Sequence, residues 1–165
     1  MSVEEPWTRT QRDVVIASYL GWMLDAFDFF LVVFVLTPIA GEFHAKIASV
    51  TLAIFVTMAM RPLGALLFGR IAERVGRRGA LMASVLLYSL LEFASAFAPT
   101  LAVFLVLRAL FGIAMGGEWG VGAALAFESV PQRSRGWVSG VLQAGYPSGY
   151  LLASIAFGLL YEPIG

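Results

Sequence analysis

Apolar residues in this chain fall into five long runs, at about residues 14–39, 47–68, 80–98, 101–127 and 136–161. Each reaches the roughly 18 residues that mark a membrane-spanning helix. The segments between them are short and polar: 41–46, the arginine-rich 69–78, Pro99-Thr100, and 128–135. A two-residue connection forces its neighbours into an antiparallel hairpin. Residues 1–12 are polar, with Glu4, Glu5, Arg9 and Arg12, and lack the apolar core and small-residue cleavage site of a signal peptide. The pattern predicts an all-α, polytopic membrane protein: a cytoplasmic tail at 1–12, then a domain at 13–165 with five transmembrane helices.

The basic residues orient it. With the N-terminus inside, Arg9, Arg12, Arg70, Arg74, Arg77, Arg78, Arg133 and Arg135 are cytoplasmic and only Lys46 is outside, as the positive-inside rule requires. Composition excludes the main alternative, a soluble helical domain. Apolar residues make up 59% of the chain and charged residues 13%, about half the charge a soluble surface carries. No basic surface for nucleic acid emerges, because the arginines sit in short loops. With no cysteine, nucleophile–base pair, metal-ligand cluster or phosphate loop, the chain reads as a non-enzyme without a cofactor.

The strongest functional signal is charge inside the spans. An unpaired ionised side chain at a helix centre costs about 2.5–3.5 kcal/mol, so each must pair or face water. Asp25 and Asp28 lie three apart on one helical face, extended by Ser18 and Gly21. At 1.5 Å per residue, Asp28 lies roughly 16 Å from the outer end of its helix and Arg108 roughly 11 Å from the outer end of the fourth. Those depths allow contact across a cavity. Arg108 would hold the carboxylate ionised, and separation would let it take a proton. The competing reading is a static ion pair that only ties the helices together. Two acids against one arginine leave one without an obvious partner. Glu118 is a second candidate protonation site or a partner for Arg61. Arg61, followed by the helix-kinking Pro62, is placed to bind an anionic substrate, pair with an acid or snorkel inward. Glu92, in line with Tyr88 and Ser95, reads as a buried structural partner. Gln143, Tyr146 and Tyr150 share a face around Pro147 and offer amide and phenol groups to a carboxylated or hydroxylated solute, or simply line a helix contact.

Small residues recur every four positions at Gly112, Gly116 and Gly120, and at Gly136, Gly140, Ala144 and Ser148. Such rows let helix backbones approach closely.

Several of these segments carry a resemblance. Gly69, Arg74, Gly76, Arg77 and Arg78 match the loop between helices 2 and 3 of Major Facilitator Superfamily transporters, roughly Gly-x-x-x-Asp-Arg-x-Gly-Arg-Arg/Lys, with Glu73 at the acid position. Leu107-Arg108-Ala109-Leu110-Phe111-Gly112 is similar to that superfamily's helix 4 arginine motif. The run from Glu128 to Gly136 resembles the Glu-x-x-Pro-x-x-x-Arg-Gly loop of metabolite:proton symporters and sugar porters. Gly21-Trp22-Met23-Leu24-Asp25-Ala26-Phe27-Asp28-Phe29-Phe30 and Gln143-Ala144-Gly145-Tyr146-Pro147-Ser148-Gly149-Tyr150 resemble the sialate:proton symporter branch, which includes monocarboxylate carriers. The resemblance covers residues 13–161.

It implies twelve helices in two six-helix halves, of which this chain supplies five: an incomplete six-helix N-terminal bundle that lacks helix 6 and the C-terminal half and does not transport alone. It implies a multi-pass protein of the inner or plasma membrane. The activity implied is proton-coupled symport of a small organic anion, of monocarboxylate or sialic acid type, by alternating access. Its partners are that anion, the proton and the bilayer, with the proton gradient as energy source. Proton coupling would fall to Asp25 or Asp28 with Arg108, and to Glu118. Anion binding would fall to Arg61, Arg108, Gln143, Tyr146 and Tyr150. Conformational gating would fall to Gly69, Glu73, Arg74, Gly76, Arg77 and Arg78. The alternatives are a drug:proton antiporter, although Gly145-Tyr146-Pro147 interposes a tyrosine in that group's Gly-Pro motif, and a truncated, non-transporting membrane protein.

Overall fold

The computed structural model describes residues 7–160. Six α-helices follow one another: α1 Arg9–Phe34, α2 Leu36–Glu42, α3 Ile47–Val75, α4 Arg77–Ser95, α5 Leu101–Ser129 and α6 Arg135–Leu160, with a 3-10 turn at Gln132–Ser134 before α6. No strand occurs among the described residues. Three helices, α1, α3 and α5, are long and apolar enough to cross a membrane. At 29 residues, α3 and α5 each extend about 43 Å, well beyond a hydrocarbon core of about 30 Å.

The helix ends depart from the hydropathy boundaries. α1 starts at Arg9, inside the expected tail, because Thr8 and Gln11 form a reciprocal capping box with N–H···O distances of 2.9 and 3.2 Å. The expected single helix over 14–39 is two. Pro38 has no N–H for the carbonyl of Phe34, and its ring crowds that carbonyl, so α1 ends at Phe34 and α2 begins after Val35. The arginine-rich segment is also not a loop. α3 continues through Gly69, Glu73 and Arg74 to Val75, and only Gly76 separates it from α4. Gly76 has φ +85°, a conformation that costs glycine little. Tyr161, the expected end of the last span, lies outside the described residues.

α5 is the axis of the bundle, packed on α3, α4 and α1, while α6 packs mainly on α1. The α3–α5 contact is backbone to backbone. A Cβ on Gly112 would strike the main chain of Thr57, one on Gly116 that of Arg61, and one on Gly64 that of Ile113. Gly120 takes no part in this contact beyond meeting the Ala65 side chain at 4.0 Å. The row expected on α6 is displaced. Gly136 and Gly140 face open space, and the close approach to α1 runs through Gly145 and Gly149, against the backbone of Tyr19, Met23 and Phe27. Leu63, Leu66 and Leu67 on α3 and Leu86, Leu90 and Phe93 on α4 point outward, at least 49% exposed. An apolar outer wall of this kind marks contact with lipid or another helix, not water.

Candidate functional site

Two arginines sit between α1 and its neighbours, each held by carboxylates. Asp25 faces α3, because backbone contact at Gly116 brings Arg61 up against α5 and α1. The guanidinium of Arg61 donates to both oxygens of Asp25, at 2.7 and 3.3 Å, a fork that only arginine supplies. The Trp119 indole N–H donates to Asp25 Oδ2 as well. The Asp25 side chain is fully enclosed. Arg61 also donates to Met115 Sδ at 2.9 Å and lies 5.8 Å from the Trp119 ring centre. Trp119 itself is stacked on Trp22, with centroids 4.6 Å apart and planes 12° from parallel.

Arg108, about two turns before Met115 on α5, serves two acids. Its short bond, 2.7 Å, goes to Glu92 on α4, and the contact with Asp28 is 3.5 Å. Phe104 and Phe111 flank the guanidinium, with ring centres at 5.4 and 5.0 Å, close enough for cation–π attraction in a desolvated setting. Thr57 donates to the Arg108 carbonyl at 3.1 Å, which fixes α3 against this turn. Between the two arginines, Asp28, Phe29, Thr57 and Phe111 enclose a gap of about 10 Å³, about the space one water occupies.

Glu118 forms a third element. It is buried, and its Oε2 has no hydrogen-bond partner among the described residues. Its Oε1 fills the place that a Cβ on Gly21 would take. The carboxyl lines a cavity of about 500 Å³ between α1, α4 and α5, with Ser18, Tyr88 and Ser89 as its other polar groups. A second cavity, of about 210 Å³, reaches Glu92 and Arg108 from the α2 end, past Glu42 and Ser95.

The structure therefore brings Asp25, Asp28, Arg61, Arg108 and Glu118 together in the interior. It corrects the pairing. Asp25 is not left over, since Arg61 takes it; Arg61 does not snorkel; Glu118 does not pair with Arg61; and Arg108 binds Glu92 more closely than Asp28. The expected Gln143, Tyr146 and Tyr150 face splits. Gln143 and Tyr150 are exposed and Tyr146 is half-buried, and the two tyrosine rings meet Phe30 of α1 at 5.6 and 4.8 Å. Gly69, Glu73 and Arg74 lie in the last two turns of α3, and Gly76, Arg77 and Arg78 at the α3–α4 junction. There Arg77 forms a bidentate bridge to Glu128 at the end of α5, at 2.6 and 2.5 Å. Trp119 and Met115 were not anticipated as partners of the pair. An indole N–H, donor only, beside a buried acid is the signal that could have found the first.

Residues 18–165 match the model of the Major Facilitator Superfamily. The chain belongs to that superfamily. Among its curated relatives is the protein named "Probable 4-methylmuconolactone transporter" of Cupriavidus pinatubonensis, 32% identical over 91% of this chain and 35% of the relative. The sialic acid transporter NanX of Escherichia coli is 29% identical over 87% of this chain and 36% of the relative. The shikimate transporter of the same organism is 34% identical over 87% and 36%. The chain spans about a third of the length of the relatives it matches. Membership, with the apolar outer wall, makes this a helical multi-pass membrane protein. The structure holds two arginine–carboxylate clusters in the middle of such a bundle.

Proposed function

We propose that this chain is the N-terminal part of a proton-coupled symporter for a small organic anion, a monocarboxylate or a sialic acid-type acid. In this reading α1, α3, α4, α5 and α6 all cross the inner or plasma membrane, with the N-terminus and the α3–α4 junction on the cytoplasmic side. The arginines at both cytoplasmic turns support that orientation. A sixth helix and a second half, which the relatives' lengths leave room for, complete the solute path, since such sites lie between repeats near the bilayer midplane.

The observation that carries the reading is the imbalance of buried charge. Three largely enclosed carboxyls, Asp25, Asp28 and Glu118, stand against two guanidiniums, Arg61 and Arg108, and Glu92, partly exposed, adds a fourth acid beside Arg108. Full ionisation would leave more negative than positive charge between the helices, and intramembrane acids of this kind serve proton and substrate paths. Asp25, Asp28 and Glu118 are the proton-coupling candidates, with Arg108 as their counter-ion. Arg61, Arg108, Tyr146, Tyr150 and Gln143 are the solute candidates. Gly69, Glu73, Arg74, Gly76, Arg77 and Arg78 gate the change between inward- and outward-facing states. The relatives named for acids, sialate and shikimate among them, agree in solute class.

The test is uptake of labelled lactate, sialic acid and shikimate by the full-length protein in liposomes. Uptake of one of them should rise severalfold when an inward proton gradient is imposed. Uptake of all three that ignores the gradient, or none at all, rejects the proposal.

A further inference from the structure

Two stretches outside the charge clusters share a composition. Trp7, Arg9 and Arg12 stand at the start of α1, and Arg133, Arg135 and Trp137 at the start of α6. The fold brings these starts together. The rings of Trp7 and Trp137 meet edge to face, with centres 5.5 Å apart and planes 80° from parallel. Beside them a groove of about 340 Å³ runs between α1 and α6, walled by Val15, Ile16, Tyr19 and Val141 and bordered by Arg12. Its inner side rests on the core, since Tyr19 and Val141 pack against buried Val15, Val138 and Leu142. Its outer side is open, with Ile16 55% and Trp137 63% exposed. We propose that this groove binds an anionic phospholipid of the leaflet in which α1 begins. One acyl chain lies between α1 and α6, the phosphate sits at Arg12, and the tryptophans stand at headgroup level. That leaflet is cytoplasmic in the orientation proposed above, and the site does not depend on the symport reading.

Charge complementarity selects this occupant. The groove surface is apolar throughout, so Arg12 borders it through its methylene stem and keeps its exposed guanidinium at the edge. An apolar channel with a cation at its mouth fits a ligand with an apolar tail and an anionic head. Arg61, Arg77 and Arg108 each hold a carboxylate, whereas Arg9, Arg12, Arg133 and Arg135 have no ion pair among the described residues. Asp13, next to Arg12, lines a different cavity, with Arg78 and Leu81 of α4. Depth agrees as well. From Arg12 to Tyr19 α1 rises about 10 Å, so the groove leads from the membrane surface into the apolar part of the span. Tryptophans at that boundary belong to the aromatic belt. An arginine near an anionic surface gains about fivefold in affinity, and basic pockets at helix ends on the cytoplasmic side take acidic headgroups. A zwitterionic lipid offers the same phosphate but brings its own cation, which the surrounding arginines repel.

The readout is quenching of tryptophan fluorescence by brominated lipid, with the full-length protein in phosphatidylcholine vesicles. A small, equal fraction of dibrominated phosphatidylglycerol or dibrominated phosphatidylcholine is added in parallel. The contribution of Trp137 is the difference between the wild type and Trp137→Phe. Phosphatidylglycerol should quench that contribution at a fraction at least fivefold lower than phosphatidylcholine, and the preference should shrink in high salt. Arg12→Gln should lower the preference about fivefold. The wild-type comparison of the two lipids stands even if that variant does not fold. Equal quenching by the two lipids, or a preference that survives Arg12→Gln, overturns the site. A preference abolished by inorganic phosphate assigns Arg12 to a free anion and overturns the lipid. No quenching of Trp137 by either lipid means that another helix covers the groove, and overturns it too. Proton-driven uptake is measured separately, so none of these results decides the symport reading.

Discussion

The two arginine clusters solve the same problem differently. Arg61 has one carboxylate, fully enclosed and gripped at both oxygens. Arg108 has two, one close and one at 3.5 Å, with the closer acid, Glu92, 37% exposed. The first is a closed, neutral pair, whose failure leaves a buried carboxylate with the Trp119 N–H but no counter-charge in contact. The second is over-supplied with negative charge and open to a cavity at the α2 end, so it can lose a partner and remain compensated. Buried pairs add little net stability compared with apolar packing, yet losing one partner is severe. The contrast thus predicts unequal responses to equivalent changes.

The largest effect is expected at Arg61. Arg61→Gln strands Asp25 and should lower stability by about 3–5 kcal/mol, read as a fall in the thermal or denaturant midpoint in detergent. A loss no greater than that of Glu92→Gln would erase the distinction between the clusters. Next is the glycine contact that sets both arginines. Gly116→Ala drives a methyl into the Arg61 backbone and Gly112→Ala one into that of Thr57. Each should cost about 1–3 kcal/mol through overpacking, whereas Gly140→Ala, in open space, should change nothing measurable. Equal effects at all three positions would mean that α3 and α5 are not in backbone contact.

Much of this arrangement was legible, and what was missed has definite causes. Hydropathy located five apolar runs and the intramembrane charges. It marks where lipid ends, however, not where a helix ends. α3 therefore continues past Phe68 to Val75 through residues that read as a loop, and α1 starts early at a Thr8/Gln11 cap whose spacing was visible. Counting depth along every helix would have sorted the pairs. Asp25 and Arg61 both lie about 21 Å from the outer ends of their expected spans, while Glu92 and Arg108 lie at about 9 and 11 Å. The depths of Asp28 and Arg108 alone leave Asp25 unassigned. Rotation about each axis was not legible. The small residues of α6 form two rows four apart, Gly136-Gly140-Ala144-Ser148 and Gly145-Gly149-Ala153, and only packing on α1 selects the second.

A smaller effect is expected at the second cluster. Glu92→Gln removes the nearer acid from Arg108 but leaves Asp28 beside it, so the guanidinium stays compensated. The loss should be about 1–2 kcal/mol, the lower end for a hydrogen bond to a charged group, because Glu92 is partly exposed and screened by solvent. Asp28→Asn should cost no more, because Glu92 remains. The double variant should cost far more than the sum, since it leaves Arg108 with no carboxylate. A double-mutant cycle in detergent measures that coupling, and strict additivity would mean that the two acids do not share the arginine.

The smallest stability effect is expected where the charge pair is most visible. Arg77 and Glu128 form a bidentate bridge at 2.5 and 2.6 Å, yet their side chains are 41% and 56% exposed. An exposed pair is worth about 0–1 kcal/mol, because water and salt screen it. Arg77→Ala should therefore leave the unfolding midpoint nearly unchanged. The bridge joins the start of α4, one residue past the Gly76 turn, to the end of α5, the helix that carries Arg108 and Glu118. A contact that contributes little to folding can still bias two states that differ by a few kcal/mol. Arg77→Ala should then alter transport rate in the full-length protein severalfold at unchanged stability. Unlike the interior clusters, the effect should shrink when the wild type is assayed in high salt. A rate that is indifferent to both the substitution and the salt would make this bridge a surface ion pair with no part in gating.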